Sequence, residues 1–202
     1  MKDPTRNAGR FDLRDMTAKN ALKMALGAAA LTLAAAAGAN ALVRLGAGAS
    51  AGFAFPAAAF DQDAKSAPGG AVRLYGNLFH WLTLEGGADF HLPFGAESDT
   101  GVGETRVTAY KAGLIYKINM GVFMPFIAGG YAVFDERIKR ENEWEDVAAQ
   151  GFYVAPGLEY YFTERFSAFG MLGYNRTFDS ARASDRDTQY VKLDFGLNYY
   201  YW

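Results

Sequence analysis

The 202-residue chain carries 20 Lys+Arg, 22 Asp+Glu, two His and no Cys, for a formal net charge of −2. This excludes disulfides, thiol nucleophiles and Cys-ligated metals, leaves little material for a His-rich catalytic site, and gives no reason to expect nucleic-acid binding. Aromatic residues at 15% and 23 Gly beside 21% charged residues fit a β-rich protein, and the length suits one domain.

Residues 1–41 read as a separate piece. The apolar run Met24 to Ala41, MALGAAALTLAAAAGANA, follows Lys19 and Lys23 and ends in Ala39-Asn40-Ala41. Basic flank, apolar stretch and small-x-small ending together mark a cleavable secretory signal peptide. The competing reading is an anchor helix, but the run is mostly Ala and about the minimum length for spanning a bilayer. Maturation at or near Leu42 is therefore expected, and a start at Met16 would give the leader ordinary proportions. Residues 42–202 retain 14 Lys+Arg against 19 Asp+Glu, a net charge of −5.

From there the sequence alternates with a period of two, the signature of strands. Strands are expected near 43–55, 70–79, 81–92, 105–116, 122–134, 150–162, 165–177 and 189–201, each long enough to cross a bilayer when tilted. In the first, Arg44, Gly46, Gly48, Ser50 and Gly52 oppose Leu45, Ala47, Ala49, Ala51, Phe53 and Phe55. In the second, Arg73, Tyr75 and Asn77 oppose Val72, Leu74, Gly76 and Leu78. In the third, Thr83, Glu85, Gly87, Asp89 and His91 oppose Leu82, Leu84, Gly86, Ala88, Phe90 and Leu92. Lys111 of the fourth shares a face with Ala109 and Gly113. The sixth sets Tyr153, Gly157 and Glu159 against Phe152, Val154, Leu158, Tyr160 and Phe162. The fifth and seventh strands have apolar or small residues on both faces, so their pattern assigns no inward side. The last strand, YVKLDFGLNYYYW, sets Lys192, Asp194, Gly196, Asn198 and Tyr200 against Val191, Leu193, Phe195, Leu197, Tyr199 and Tyr201.

Connections alternate in length. Short ones centre on His80, on Asn119-Met120-Gly121 and on Thr163-Glu164-Arg165. Long polar ones are expected at 56–69, 93–104, 135–149 and 178–188. Short turns at one end and long loops at the other characterise outer-membrane barrels. Aromatic residues gather at both ends of the strands, as they do at membrane interfaces. The soluble rival is a lipocalin-like barrel, which shares the periodicity but turns its apolar face inward and has no use for aromatic belts. Pro125 and Pro156 fall inside strands, where each removes a ladder donor, so bulges are expected there.

The polar faces gather four basic residues, Arg44, Arg73, Lys111 and Lys192, and four acidic ones, Glu85, Asp89, Glu159 and Asp194. An eight-stranded barrel has an interior that side chains just fill, and charges inside it must pair. The reading is thus an all-β, up-and-down antiparallel eight-stranded transmembrane barrel over residues 42–202, preceded by a signal peptide.

At this level the leader, the eight strands, segments such as WLTLEGGADF and FGLNYYYW, and the terminal aromatic resemble the OmpA/OmpX-like superfamily of small outer-membrane barrels. The resemblance implies that the eight inward charges form a salt-bridged plug. It implies that Phe195, Leu197, Tyr199, Tyr201 and Trp202 serve as the C-terminal signal read by the barrel-assembly machinery. Trp202 falls one residue past the outward phase, so a bulge or frayed end is expected there. Implied partners are outer-membrane lipid including lipopolysaccharide, the assembly machinery and periplasmic chaperones. An extracellular partner would meet the long loops, where residues 137–146 form a stretch of mixed charge.

No catalytic Ser motif, phosphate loop or metal cluster is legible, and no cofactor is expected. His80 sits in a short turn beside Trp81, and His91 faces inward with no Ser or Thr two residues away. The expected role is structural or interactive. A surface adhesin, a small channel exploiting Gly46, Gly48 and Gly52, and a lipid A-modifying enzyme follow in that order.

Overall fold

Alternation along each strand leaves one face apolar, and a sheet with an apolar face must either bury it or present it to lipid. A computed structural model describes residues 44–57, 65–95, 102–140, 143–178 and 188–201. The expected signal peptide, Leu42 and Trp202 lie outside these residues.

The strands in chain order are β1 Arg44–Pro56, β2 Ala67–Phe79, β3 Leu82–His91, β4 Phe94–Gly95, β5 Val102–Lys117, β6 Phe123–Arg140, β7 Glu143–Tyr161, β8 Phe166–Thr177 and β9 Gln189–Tyr201. Each long strand pairs antiparallel with its neighbours. The sheet closes into one ring: β1 pairs with β9 from Leu45↔Tyr201 to Pro56↔Tyr190, and β3 pairs with β5 from Leu82↔Tyr116 to Phe90↔Thr108. The two-residue β4 lies beside the start of β5. The result is a closed barrel of eight long strands, and closure leaves the barrel wall no free edge.

The faces sort as the alternation requires. Leu74, Leu114, Ile127, Leu158, Leu172 and Leu197 stay exposed on the outside, while Arg73, Asp89, Lys111, Glu159, Lys192 and Asp194 are buried inside. An apolar exterior around a charged interior inverts the lipocalin arrangement and fits a lipid environment. The two strands of ambiguous phase are now assigned. In β6, Ala128, Ala132 and Phe134 point inward, and in β8, Ser167, Phe169, Asn175 and Thr177 do.

Three expectations are corrected. The loop expected at 135–149 is the upper part of a hairpin: β6 and β7 pair without interruption from Phe123↔Tyr160 to Arg140↔Glu143. Its charges had suggested a loop, but Arg137 and Lys139 flank the inward Ile138, and Asp146 precedes Val147, in strand phase. At the ends of the loop expected at 93–104, Phe94–Gly95 form β4 and β5 begins at Val102; residues 96–101 lie outside the described residues.

Neither Pro125 nor Pro156 produces a bulge. Register runs evenly through Pro125↔Leu158 and Ile127↔Pro156. The Pro125 carbonyl accepts from Ile118 N–H, so its missing donor faces β5 just beyond that strand's last paired residue, Lys117. Pro156 faces β8. There the ladder skips from Val154↔Tyr174 to Gly157↔Met171 with its register unchanged. The register shifts that do occur lie at Asn77/Phe79 and at Val102/Thr105.

The short turns are locally specified. Gly121 adopts φ 80°, a conformation costly for other residues, and its N–H donates to the Asn119 side chain at 3.0 Å. Thr163 Oγ1 accepts from the backbone N–H of both Arg165 and Phe166, at 3.2 and 3.0 Å.

Candidate functional site: the barrel interior

The lumen is filled in three layers. The middle layer is an ion-pair cluster drawn from four strands. Arg73 on β2 reaches Asp194 on β9 at 3.1 Å and Asp89 on β3 at 3.5 Å, and also donates to Ser50 on β1 at 2.9 Å. Lys111 on β5 meets the same Asp89 at 2.5 Å. Lys192 on β9 lies 3.3 Å from Asp89 and 3.0 Å from Asp194. Every member is at most 7% exposed, so the two carboxylates and three cations are stabilised chiefly by one another. Arg73 also stacks over Phe169 and Lys111 over Tyr153.

The layer towards the short turns centres on Glu159 of β7. Its carboxylate takes Lys117 of β5 at 2.8 Å, Asn198 at 2.9 Å, Tyr200 at 2.6 Å and the Ser167 hydroxyl. Lys117 also donates to the Tyr161 and Tyr200 hydroxyls at 3.3 and 3.1 Å. Between the two layers a cavity of about 20 Å³, lined by Arg73, Tyr75, Glu85, Lys117, Glu159 and Tyr200 among others, has room for about one water.

Towards the long loops aromatic and small apolar residues fill the lumen alongside the buried Glu136, Asn175 and Thr177. Tyr190 is fully buried, with ring centres 5.1 Å from His91, 6.2 Å from Phe94 and 6.3 Å from Phe134. Val107, Ala54 and Ala67 complete this layer at 0% exposure.

Of the eight residues singled out as the inward network, five, Arg73, Asp89, Lys111, Lys192 and Asp194, meet in the middle cluster. Glu159 sits in the other cluster, opposite a cation the strand prediction had cut off: ending the fourth strand at Tyr116 left out Lys117. The signal was present, because Lys117 holds the same phase as Ala109, Lys111 and Gly113. Glu85 receives the Tyr153 hydroxyl rather than a cation. Arg44 packs over the Tyr200 ring at 5.1 Å. Glycines that might have kept the lumen open are instead seats for large neighbours. A methyl group on Gly46 would come within 2.6 Å of the Tyr200 ring, and one on Gly52 within 2.6 Å of an Asp194 oxygen. Of the C-terminal segment, Phe195, Leu197 and Tyr201 face outward and exposed, and the Tyr199 ring meets Phe166 at a tilt and Tyr201 edge-on, with centres 4.8 and 4.6 Å apart.

Charges inside, an apolar belt outside and complete ring closure call for comparison with membrane barrels. The model of the outer membrane protein beta-barrel domain family matches residues 24–200. The chain belongs to that family. It is an integral β-barrel protein of the bacterial outer membrane. No curated protein matches it in sequence. Among solved structures, Neisserial surface protein A is similar with a TM-score of 0.53 at 13% identity, covering 78% of this chain and 96% of that one. The N-terminal β-barrel domain of Pseudomonas aeruginosa OprF gives a TM-score of 0.52 at 17% identity, covering 78% and 97%. Ail, the attachment invasion locus protein of Yersinia pestis, gives 0.50 at 12%, covering 79% and 97%. Identities this low speak for the fold alone.

Proposed function

We propose that this barrel is a non-catalytic envelope protein whose lumen is closed by its own side chains. The observation that carries the reading is the stacking of two cross-barrel ion clusters beneath an aromatic layer. Each cluster links strands from opposite sides of the ring: β2, β3, β5 and β9 in one, β5, β7, β8 and β9 in the other. Such staples stabilise the wall and leave no continuous water column. The structural reading of His91 rests on its packing among aromatic rings, 5.7 Å from Phe94 and 5.1 Å from Tyr190 between ring centres.

The deciding measurement is single-channel recording of the purified, folded protein in planar bilayers. Closed barrels give no stable steps in 1 M KCl. Large, long-lived steps from the wild type would replace this reading with a channel.

A second reading, attachment to external surfaces, is favoured by the upper part of β5–β7. There β6 and β7 go on pairing with each other beyond the point where β8 leaves β7, and the fold is similar to that of Ail, an attachment invasion locus protein. Both roles are compatible with a closed lumen.

A further inference from the structure

Proline has no N–H to give a neighbouring strand, so inside a sheet it belongs at edges and bulges. Pro156 stands at neither. It lies within β7, between β6 and β8, and the register runs evenly on both sides of it. The hydrogen-bond phase shows what is lost. The Gln150 carbonyl accepts from Phe178 N–H, and a strand residue turns both of its backbone groups to the same side. Even-numbered residues of β7 therefore face β8. In the register that runs from Gly151↔Thr177 to Tyr161↔Ser167, Pro156 stands opposite Leu172, where two hydrogen bonds would be exchanged. Pro156 can accept from Leu172 N–H but returns nothing to the Leu172 carbonyl. Pairing with β8 is absent at Ala155 and Pro156, and among the described residues this is the one interruption of the wall away from a strand end.

Side chains do little to close the gap. The inward pair beside it is Ala155 and Gly173. A methyl group on Gly173 would meet Ala155 Cβ and the Asn175 amide nitrogen at 3.7 Å and the Lys192 carbonyl at 3.8 Å. These are ordinary contacts, so the position is open where Gly46 and Gly52 are filled by their neighbours. The Asn175 side chain is 0% exposed, and neither its nitrogen nor its oxygen has a hydrogen-bond partner among the described residues. A buried amide without partners is costly unless water reaches it. Towards the long loops, Phe152 packs against Tyr174 and Phe178, with ring centres 6.1 and 5.7 Å apart. Those rings hold the seam above the gap.

We propose that the barrel wall opens locally at the β7–β8 seam around Pro156 and that this opening hydrates the Asn175 amide behind it. Separating the strands here breaks one hydrogen bond, from Leu172 to Pro156, where another bonded pair would break two. The flanking pairs Val154↔Tyr174 and Gly157↔Met171 stay in register, so the opening admits water and no larger solute. The inference goes beyond the closed-lumen reading and stands on the β7–β8 register and the unpartnered amide.

The test is amide hydrogen exchange of the folded protein in detergent micelles, followed residue by residue by NMR and corrected for intrinsic rates. β8 supplies its own control, because Leu172 faces β7 whereas Met171 and Gly173 face β9. The expected result is that Leu172 exchanges fastest of the three. Pro156→Ala supplies the missing donor and should slow Leu172 about threefold to tenfold, the factor a single hydrogen bond contributes, with Met171 and Gly173 unchanged. A second variant locks the seam. Ala155→Cys with Gly173→Cys sets two β-carbons at the 3.7 Å separation a disulfide spans, in a chain with no other Cys. Oxidation should slow exchange at Leu172 and at the Asn175 side-chain amide, and reduction should restore both. The gel shift between boiled and unboiled protein shows for each variant that the barrel is folded and closed. Wild-type Leu172 exchanging as slowly as Met171 and Gly173 would overturn the proposal. So would an oxidised lock that leaves Leu172 as fast as before, which would mark a fixed missing bond rather than an opening. An Asn175 amide indifferent to the lock would overturn the hydration route. None of these outcomes bears on whether the lumen conducts.

Discussion

Asp89 shows how the interior is balanced. Its two oxygens serve three cations, Arg73, Lys111 and Lys192, and it is 1% exposed. Removing one cation strands part of that charge in a site water reaches poorly, a change that costs ~3–5 kcal/mol where a buried pair is broken. Lys111→Met is therefore expected to lower the urea midpoint of the folded barrel strongly. Lys139→Met, on the outer face of the β6–β7 hairpin, should change stability by less than about 0.5 kcal/mol. Equal shifts of the two midpoints in detergent would mean that Lys111 is solvated. Gly113 is as constrained as any charge here, because a methyl group there would collide with the Tyr153 hydroxyl and the Gly129 carbonyl. Gly113→Val is expected to displace Tyr153 from Glu85 and to destabilise the barrel by about 1–3 kcal/mol, the usual cost of overpacking. The same urea titration measures it.

At the scale of elements, the β6–β7 hairpin separates into a wall segment and a ribbon. The wall segment pairs on both sides, with β5 and β8, whereas β7 residues 143–149 have no partner on the β8 side among the described residues. Glu136 and Val147 face each other across the hairpin. Replacing residues 137–146 with Asn-Gly would connect that pair by a two-residue turn. The shortened protein should still fold and keep its gel shift on boiling, because the barrel closes through β1–β9 and β3–β5. Loss of the shift would show that the ribbon is part of the folding unit. Strand count, inward faces of the first three strands and the last, and the short turns were all legible in the sequence, because strict alternation carries them. The ribbon was not, because charge density at 135–149 looks the same in a solvated loop and on the exposed face of a strand. The phases of β6 and β8 were hidden for another reason: Gly, Ala and Phe suit either the lumen or lipid. Lys117 was missed through a boundary placed one residue early, and with it the partner of Glu159.

For the whole molecule, the three layers act in series, and a pathway in series is limited by its tightest point. The middle cluster, the Glu159–Lys117 cluster and the aromatic layer around Tyr190 each span the same narrow lumen of an eight-stranded ring. Opening one layer should therefore leave the others as barriers. Asp89→Ala with Lys111→Ala removes one anion and one cation, so the net charge is conserved while side-chain volume is lost from the centre. That variant should stay nearly silent in planar bilayers. Adding Glu159→Ala with Lys117→Ala removes the second ion cluster, and Tyr190→Ala then thins the aromatic seal. Conductance should rise only when all three changes are combined, and each intermediate should keep its gel shift, since the backbone closure is untouched. Full conductance from the first double variant alone would show that the middle cluster is the sole barrier. No conductance from the complete set, with the barrel still folded, would place the seal in the parts of the long loops beyond these layers.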